Sequence, residues 1–197
     1  MKDLKPKKQR LRLSDDVSLE LQSLHEIMGE ANLSLALTVA AKLSGPIVWI
    51  GRAGHVQSIM PSAVGAFLDP ARMVLTECTS RKELLWAAEQ AMRCSGAVLT
   101  VIHLAQGPNL KESRRMQLAC EQGGGMGLIL IERNAQSSAA QTRWTCQPIP
   151  ANDTPLTPHW SWERTKSRNG GRPGRWHVTW GGYGQTCDVH MVAATAA

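Results

Sequence analysis

The apolar positions of this chain fall into short continuous runs separated by stretches of helical spacing. Ile47-Val-Trp-Ile50, Met73-Val-Leu-Thr76, Ala97-Val-Leu-Thr-Val-Ile102 and Met126-Gly-Leu-Ile-Leu-Ile131 do not alternate apolar with polar. Runs of that length without alternation predict parallel strands buried on both faces. Between them, Leu33, Ala36, Leu37, Ala40, Ala41 and Leu43 recur at helical spacing until Gly45-Pro46 ends the segment. Leu84, Leu85, Ala88, Ala91 and Met92 form a second helical stripe, with Ser80-x-x-Glu83 ahead of it as a capping box. Residues 111–122 predict a third helix running into Gly123-Gly-Gly125. Strands alternating with helices over short connections imply an α/β fold with a mainly parallel sheet flanked by helices.

The texture changes after Arg133. Residues 134–142 are small and polar, and residues 147–159 hold four prolines, so both stretches read as loops. Three aromatic β-like pieces lie between and beyond them: 143–146, 159–164 and 175–180. Trp160/Trp162 and Trp176/Val178/Trp180 keep a period of two around Asn169-Gly-Gly-Arg-Pro-Gly174, which predicts an antiparallel β-hairpin extension. Gly181-Gly-Tyr-Gly184 reads as a turn and Val192 to Ala197 as a frayed tail. The expected organisation is a basic tail over 1–13, a core over 14–133 and a Trp/Arg-rich extension over 134–197. Four strands and three helices precede Arg133, so the core is expected to close without the extension.

Composition changes this picture mainly through charge. Residues 1–13 carry net +5, residues 14–141 net −2 and residues 142–197 net +3. Basic ends suggest an acidic partner or nucleic acid, and equally a solvated tail. No apolar run approaches the length of a membrane span, and the charged N-terminus has no apolar stretch behind it. Five scattered cysteines without a Cys-x-x-Cys pair suit free thiols in a reducing cytoplasm, the expected location.

An α/β sheet of this kind invites a search for a phosphate loop, at the turn after Leu24-His-Glu-Ile-Met28. A working loop needs Gly-x-x-x-x-Gly-Lys-Ser/Thr, whose amides and lysine cradle phosphates. Here the turn reads Gly29-Glu-Ala-Asn-Leu-Ser34, without the second glycine or the lysine, and Glu30 sets negative charge where phosphate would sit. The carboxylate that would hold Mg²⁺ at the end of a neighbouring strand is replaced by His103. A lone histidine there reads as structural, with no ligand at metal spacing nearby in sequence. No nucleophile elbow, zinc-protease motif or dinucleotide fingerprint is present. No cofactor, metal or catalytic residue is expected.

Leu24-His-Glu-Ile-Met-Gly29, the run 35–41 and Val48-Trp-Ile50 stand in an order that resembles the ImuA family of bacterial mutagenesis cassettes. Leu68-Asp-Pro-Ala-Arg-Met-Val-Leu75, the run 82–93, Ser113–Ala119 and Gly170-Gly-Arg-Pro-Gly-Arg-Trp176 extend the resemblance to roughly residues 24–182. It implies a degenerate RecA-like core. It also implies a non-catalytic accessory role in translesion DNA synthesis during the SOS response to DNA damage. The implied partner is an ImuB-type Y-family polymerase homologue, with RecA, self-association and single-stranded DNA as further contacts and no membrane. A SulA-like inhibitor of cell division, binding the tubulin-like division protein, is a rival on the same core. A second rival is a nucleic-acid module in which Arg164, Lys166, Arg168, Arg172 and Arg175 interleave with Trp160, Trp162, Trp176 and Trp180 as a stacking platform. The alternative for those tryptophans is packing against the core. Because Trp and Arg concentrate there, residues 143–180 are the expected docking element.

Overall fold

The computed structural model describes residues 9–150, 158–169, 171, 173–181 and 189–194. Its centre is a nine-stranded sheet with six parallel strands: β3 (Leu24–Met28), β4 (Ile47–Gly51), β5 (Met73–Glu77), β6 (Leu99–Gln106), β7 (Met126–Arg133) and β8 (Thr142–Pro148). Three antiparallel strands complete it: β9 (His159–Ser167), β10 (Gly174–Trp180) and β11 (Val189–Ala193). The spatial order is β11-β10-β9-β8-β3-β7-β6-β4-β5. A separate antiparallel pair, β1 (Arg10–Arg12) and β2 (Ser18–Glu20), precedes it.

The continuous apolar runs are explained by what covers each face. On β6, Leu99 and Val101 turn to one face while Ile102 and Leu104 turn to the other; on β7, Leu128 and Leu130 oppose Ile129 and Ile131 in the same way. One face packs on α1 (Asn32–Lys42), the β1–β2 hairpin and α3 (Pro61–Val64). The opposite face packs on α4 (Arg81–Arg93) and α5 (Leu110–Gly123). The short α2 (Ala53–Gln57) follows β4, and a 3-10 turn over Pro70–Arg72 precedes β5. Both capping boxes are formed: Ser80 with Glu83 on α4, and Asn109 with Glu112 on α5. Gly124, in the left-handed region at φ 83°, ends α5, and its N–H donates to the Cys120 carbonyl.

Several expectations change. Leu24–Met28 is a full strand, paired with β7 on one side and β8 on the other. β6 does not stop at His103 but runs on to Gln106. The stretch expected as a basic tail contributes a hairpin whose Leu13 is buried with Val17 and Leu19 from across the turn. Val192 and Ala193, expected to fray, pair with His177 and Trp176 on β10. Residues 182–184 of the expected turn lie outside the described residues.

The largest correction concerns the extension. β8 is a parallel strand of the main sheet, in register with β3 from His25↔Thr142 to Met28↔Thr145. β9 then pairs antiparallel with β8, and β10 with β9. Trp144, Trp162, Trp176, Val178 and Trp180 belong to the same buried cluster as Ile27, Leu35 and Val39. Described residues after Arg133 therefore share the buried core of the parallel strands, and among the described residues one buried cluster runs from 14–133 into 134–180.

Candidate functional site

The turn between β3 and α1 occupies the position of a phosphate loop, and its own backbone fills it. Gly29 sits at φ 92°, a conformation that favours glycine, and a Cβ there would lie 2.1 Å from the Cys146 carbonyl oxygen. That carbonyl, reaching over from β8, accepts a hydrogen bond from the Ala31 N–H at 3.1 Å. The amides of Asn32 and Ser34 are likewise taken, by the carbonyls of Gly29 and Ala31. A phosphate approaching this helix start would meet the Cys146 carbonyl oxygen and Glu30, with three of the turn's amides already bonded.

Ser34 lies in the first turn of α1. Its Oγ donates to the Ala31 carbonyl at 2.6 Å and accepts the indole N–H of Trp162 at 2.9 Å. The hydroxyl therefore ties α1 to β9. Burial pushes the Cys146 thiol upward, so the sulfur beside this turn is held as a neutral apolar group.

His103 is not solitary. His55 on α2 stacks on it with ring centroids 4.8 Å apart, Trp49 lies 5.8 Å away, and His55 Nε2 meets Glu132 Oε1 at 2.6 Å. Sequence reasoning missed His55 and Glu132 because the contact crosses neighbouring strands β4, β6 and β7. Among the described residues no three His, Cys, Asp or Glu side chains form a group that could hold a metal ion. Burial, and then repulsion from His55, lower the His103 pKa from 6.5 to about 4. The folded protein thus keeps His103 neutral at pH values where the unfolded chain protonates it. This contribution to stability is complete above pH 6.5 and lost as pH falls from 6.5 to 4, a loss on the order of 3 kcal/mol. Urea midpoints across that window should fall in the wild type and flatten in His103→Gln. Parallel slopes would show that another group carries the acid sensitivity.

The expected Trp/Arg platform is largely consumed by the protein itself. Trp162, Trp176 and Trp180 are buried, and Trp160 is half-buried with its ring 6.4 Å from that of Trp162. Trp180 packs on Phe67 at 4.0 Å and Trp176 on Trp144 at 5.6 Å. The Arg164 guanidinium lies 5.5 Å from the Trp144 ring and 5.2 Å from the Trp176 ring. Burial, and then Arg10, lower its pKa.

The other cations serve the loop that leads into β8. Lys166 donates to the Ser138 carbonyl at 2.8 Å, and Arg168 to the Ala139 carbonyl at 3.1 Å. Burial is the main effect lowering the Lys166 pKa, with Arg143 and Arg168 adding and Glu26 opposing. Arg175 pairs with Glu163 at 2.8 Å on the hairpin. Arg172 lies outside the described residues. The rings of Trp162, Trp176 and Trp180 are packed in the core and could not stack on bases without opening it, whereas Trp160 is half-buried.

Two buried polar residues were not singled out from sequence. Glu26 on β3 is fully buried and pairs with Arg143 on β8 at 2.7 Å. His25 Nδ1 is 2.7 Å from Thr142 Oγ1, and its Nε2 is 2.9 Å from the Glu20 carbonyl. Both fasten β3 to its neighbours at the strand that feeds the closed turn.

No family model matches the chain. Two curated relatives do: Protein ImuA of Caulobacter vibrioides strain NA1000 / CB15N and Protein ImuA of strain ATCC 19089 / CIP 103742 / CB 15. Each is 31% identical over 148 residues, covering 67% of this chain and 59% of the relative. The chain therefore spans less than two thirds of the length of the relatives it matches. Together with the ordered run of motifs laid along the parallel sheet, this similarity shows that the chain belongs to the ImuA family.

Proposed function

We propose that this chain is a non-catalytic accessory factor of DNA-damage-induced mutagenesis, acting in translesion synthesis by docking an ImuB-type Y-family polymerase homologue. The sheet is read as a RecA-like core that has given up nucleotide chemistry. One observation carries this reading: the Cys146 carbonyl closes the turn where phosphate would bind, and Trp162 engages the Ser34 hydroxyl. A turn whose Ala31, Asn32 and Ser34 amides are already bonded, and which carries Glu30 and no lysine, is a poor cradle for a triphosphate, which favours a role through the protein's surfaces. RecA and single-stranded DNA are secondary contacts in the same scheme. The internal partners of Arg164, Lys166, Arg168 and Arg175 weigh against a phosphate-binding track on β9 and β10.

The test combines two measurements on the full chain. Titration calorimetry with ATP and Mg²⁺ should give no micromolar binding. Co-purification from DNA-damaged cells should recover the ImuB-type protein. Tight ATP binding would overturn the non-catalytic part, and absence of the polymerase homologue would overturn the docking part.

A further inference from the structure

All seven tryptophans lie among the described residues, and Trp86 on α4 is the one with an exposed side chain, at 63%. The others are buried or half-buried. Trp86 stands over a groove of about 220 Å³ between α4 and α5. One wall carries Lys82, Leu85, Trp86 and Glu89, at spacings of three, four and seven on α4; the other carries Glu112, Arg115 and Met116 of α5. Two side-by-side helices with an apolar channel at that spacing present the ridges and groove that a third helix packs into.

The charges around the channel select the sign of that helix. Glu89 is buried at 7% exposure, and both Arg93 and Arg115 hold it at 2.5 Å, so this floor carboxylate is outnumbered. Glu112 is paired with Arg81 at 2.8 Å. Glu83 is turned back on Thr79 and Ser80 in the capping box. Lys82 on the wall, and Lys111 next to Glu112 along α5, are left without a carboxylate partner among the described residues. Among the residues that line the groove and their ion-pair partners, four cations (Arg81, Lys82, Arg93 and Arg115) meet two carboxylates, Glu89 and Glu112. An exposed aromatic between paired and unpaired cations is the composition of an interface centre with a charged rim. Residues 1–8 of this chain carry the same positive sign and cannot complement it. A nucleic acid would find a single exposed ring to stack on and an apolar channel that no base or phosphate fills, a poorer match than an apolar helix face flanked by carboxylates.

We propose that the α4–α5 groove docks an acidic amphipathic helix of a partner protein, with Trp86 as the anchor. The inference deepens the docking reading above and rests on it for the identity of the partner. The first arm of the test is independent of that identity. A labelled helical peptide of about 18 residues, five turns, carries Leu and Phe at i, i+3, i+4 and i+7 and Glu elsewhere. It is titrated against the full chain, beside a twin with Lys in place of Glu. The acidic peptide should bind and the Lys twin should not. Trp86→Ala should weaken binding at least about 30-fold, with unchanged circular dichroism, since Trp86 contributes an exposed side chain. The double variant Lys82→Glu with Lys111→Glu should exchange the preference between the peptides. No binding of the acidic peptide, equal binding of both twins, or indifference to Trp86→Ala would overturn the proposal. So would competition by oligo-dT for the groove, or a dimer in sedimentation that Trp86→Ala dissolves.

The second arm uses the purified ImuB-type protein. If it binds the wild type and Trp86→Ala equally, the groove is excluded while the docking reading stands. If it binds neither while the acidic peptide still binds through Trp86, the docking reading fails and the groove stands for a different partner.

Discussion

A chain truncated after Thr142 is expected to lose its cooperative fold, not merely a surface element. The truncation removes β8 from its place beside β3 and takes away Trp144, Trp162, Trp176, Val178 and Trp180, all buried with α1 and the parallel strands. Replacing one buried tryptophan by alanine costs about 3–5 kcal/mol, and a whole domain has a stability of only about 5–15 kcal/mol. Losing four of them at once exceeds what the remaining core supplies. It also bares both the β3 edge and the Glu26 carboxylate. Near-ultraviolet circular dichroism should vanish and thermal melting should lose its sigmoid. A truncated chain with a sharp melt would contradict the continuity of this core. The expectation that residues 14–133 close by themselves predicts the opposite outcome, a folded truncation, and the melt decides between the two; if the fold is lost, loss of partner binding would say nothing about where the interface lies.

Arg143→Ala is expected to cost about 3–5 kcal/mol, because it leaves the Glu26 carboxylate buried without its partner. The two side chains join adjacent parallel strands at 2.7 Å, with Glu26 fully buried and Arg143 mostly so. The pair itself need not stabilise the fold by that amount, since desolvating both charges offsets much of their attraction. A double variant, Glu26→Leu with Arg143→Met, removes both charges and keeps the volume. It should recover most of the loss in urea denaturation. If Arg143→Ala shifts the midpoint by less than about 1 kcal/mol, another cation must neutralise Glu26, and Lys166 is the one placed to do so.

Much of the architecture was legible along the chain. The runs at 47–50 and 126–131 became the covered strands β4 and β7, and the helical stripes became α1, α4 and α5; the run at 73–76 became β5, but as an edge strand with Val74 and Leu75 exposed and not buried on both faces as expected. Such patterns are local, and a period of 3.6 or a continuous apolar run reports the burial of an element's own faces. The β1–β2 hairpin was legible in principle, through Leu11 and Leu13 facing Val17 and Leu19 across Ser14-Asp-Asp16. Its signal was hidden by the surrounding positive charge.

The tryptophans show where local reading ends. Trp162 and Trp176 keep the period of a half-buried hairpin, and nothing in that period tells whether the covered face meets solvent, a partner or the protein's own helix. The structure packs that face with α1 in one buried cluster and sets Arg164 over the rings of Trp144 and Trp176. Composition then misleads, because Trp and Arg together describe an interface hot spot and an internal cation–π stack equally well. Trp86 was read as one member of a helix, and only the placement of α4 beside α5 leaves it uncovered.

The sequence by itself determined the alternation of strands and helices, the capping box of α4 and the absence of a phosphate-loop lysine and second glycine after Gly29. Each is a property of residues within a few positions of one another. Tertiary structure alone decided that β8 lies against β3, that the Cys146 carbonyl closes the Gly29 turn, and that His55 and Glu132 gather around His103. Those contacts join residues whose separation along the chain carries no periodic signal. They form because strand order and register, set by packing over the whole sheet, bring them within a few ångströms of one another.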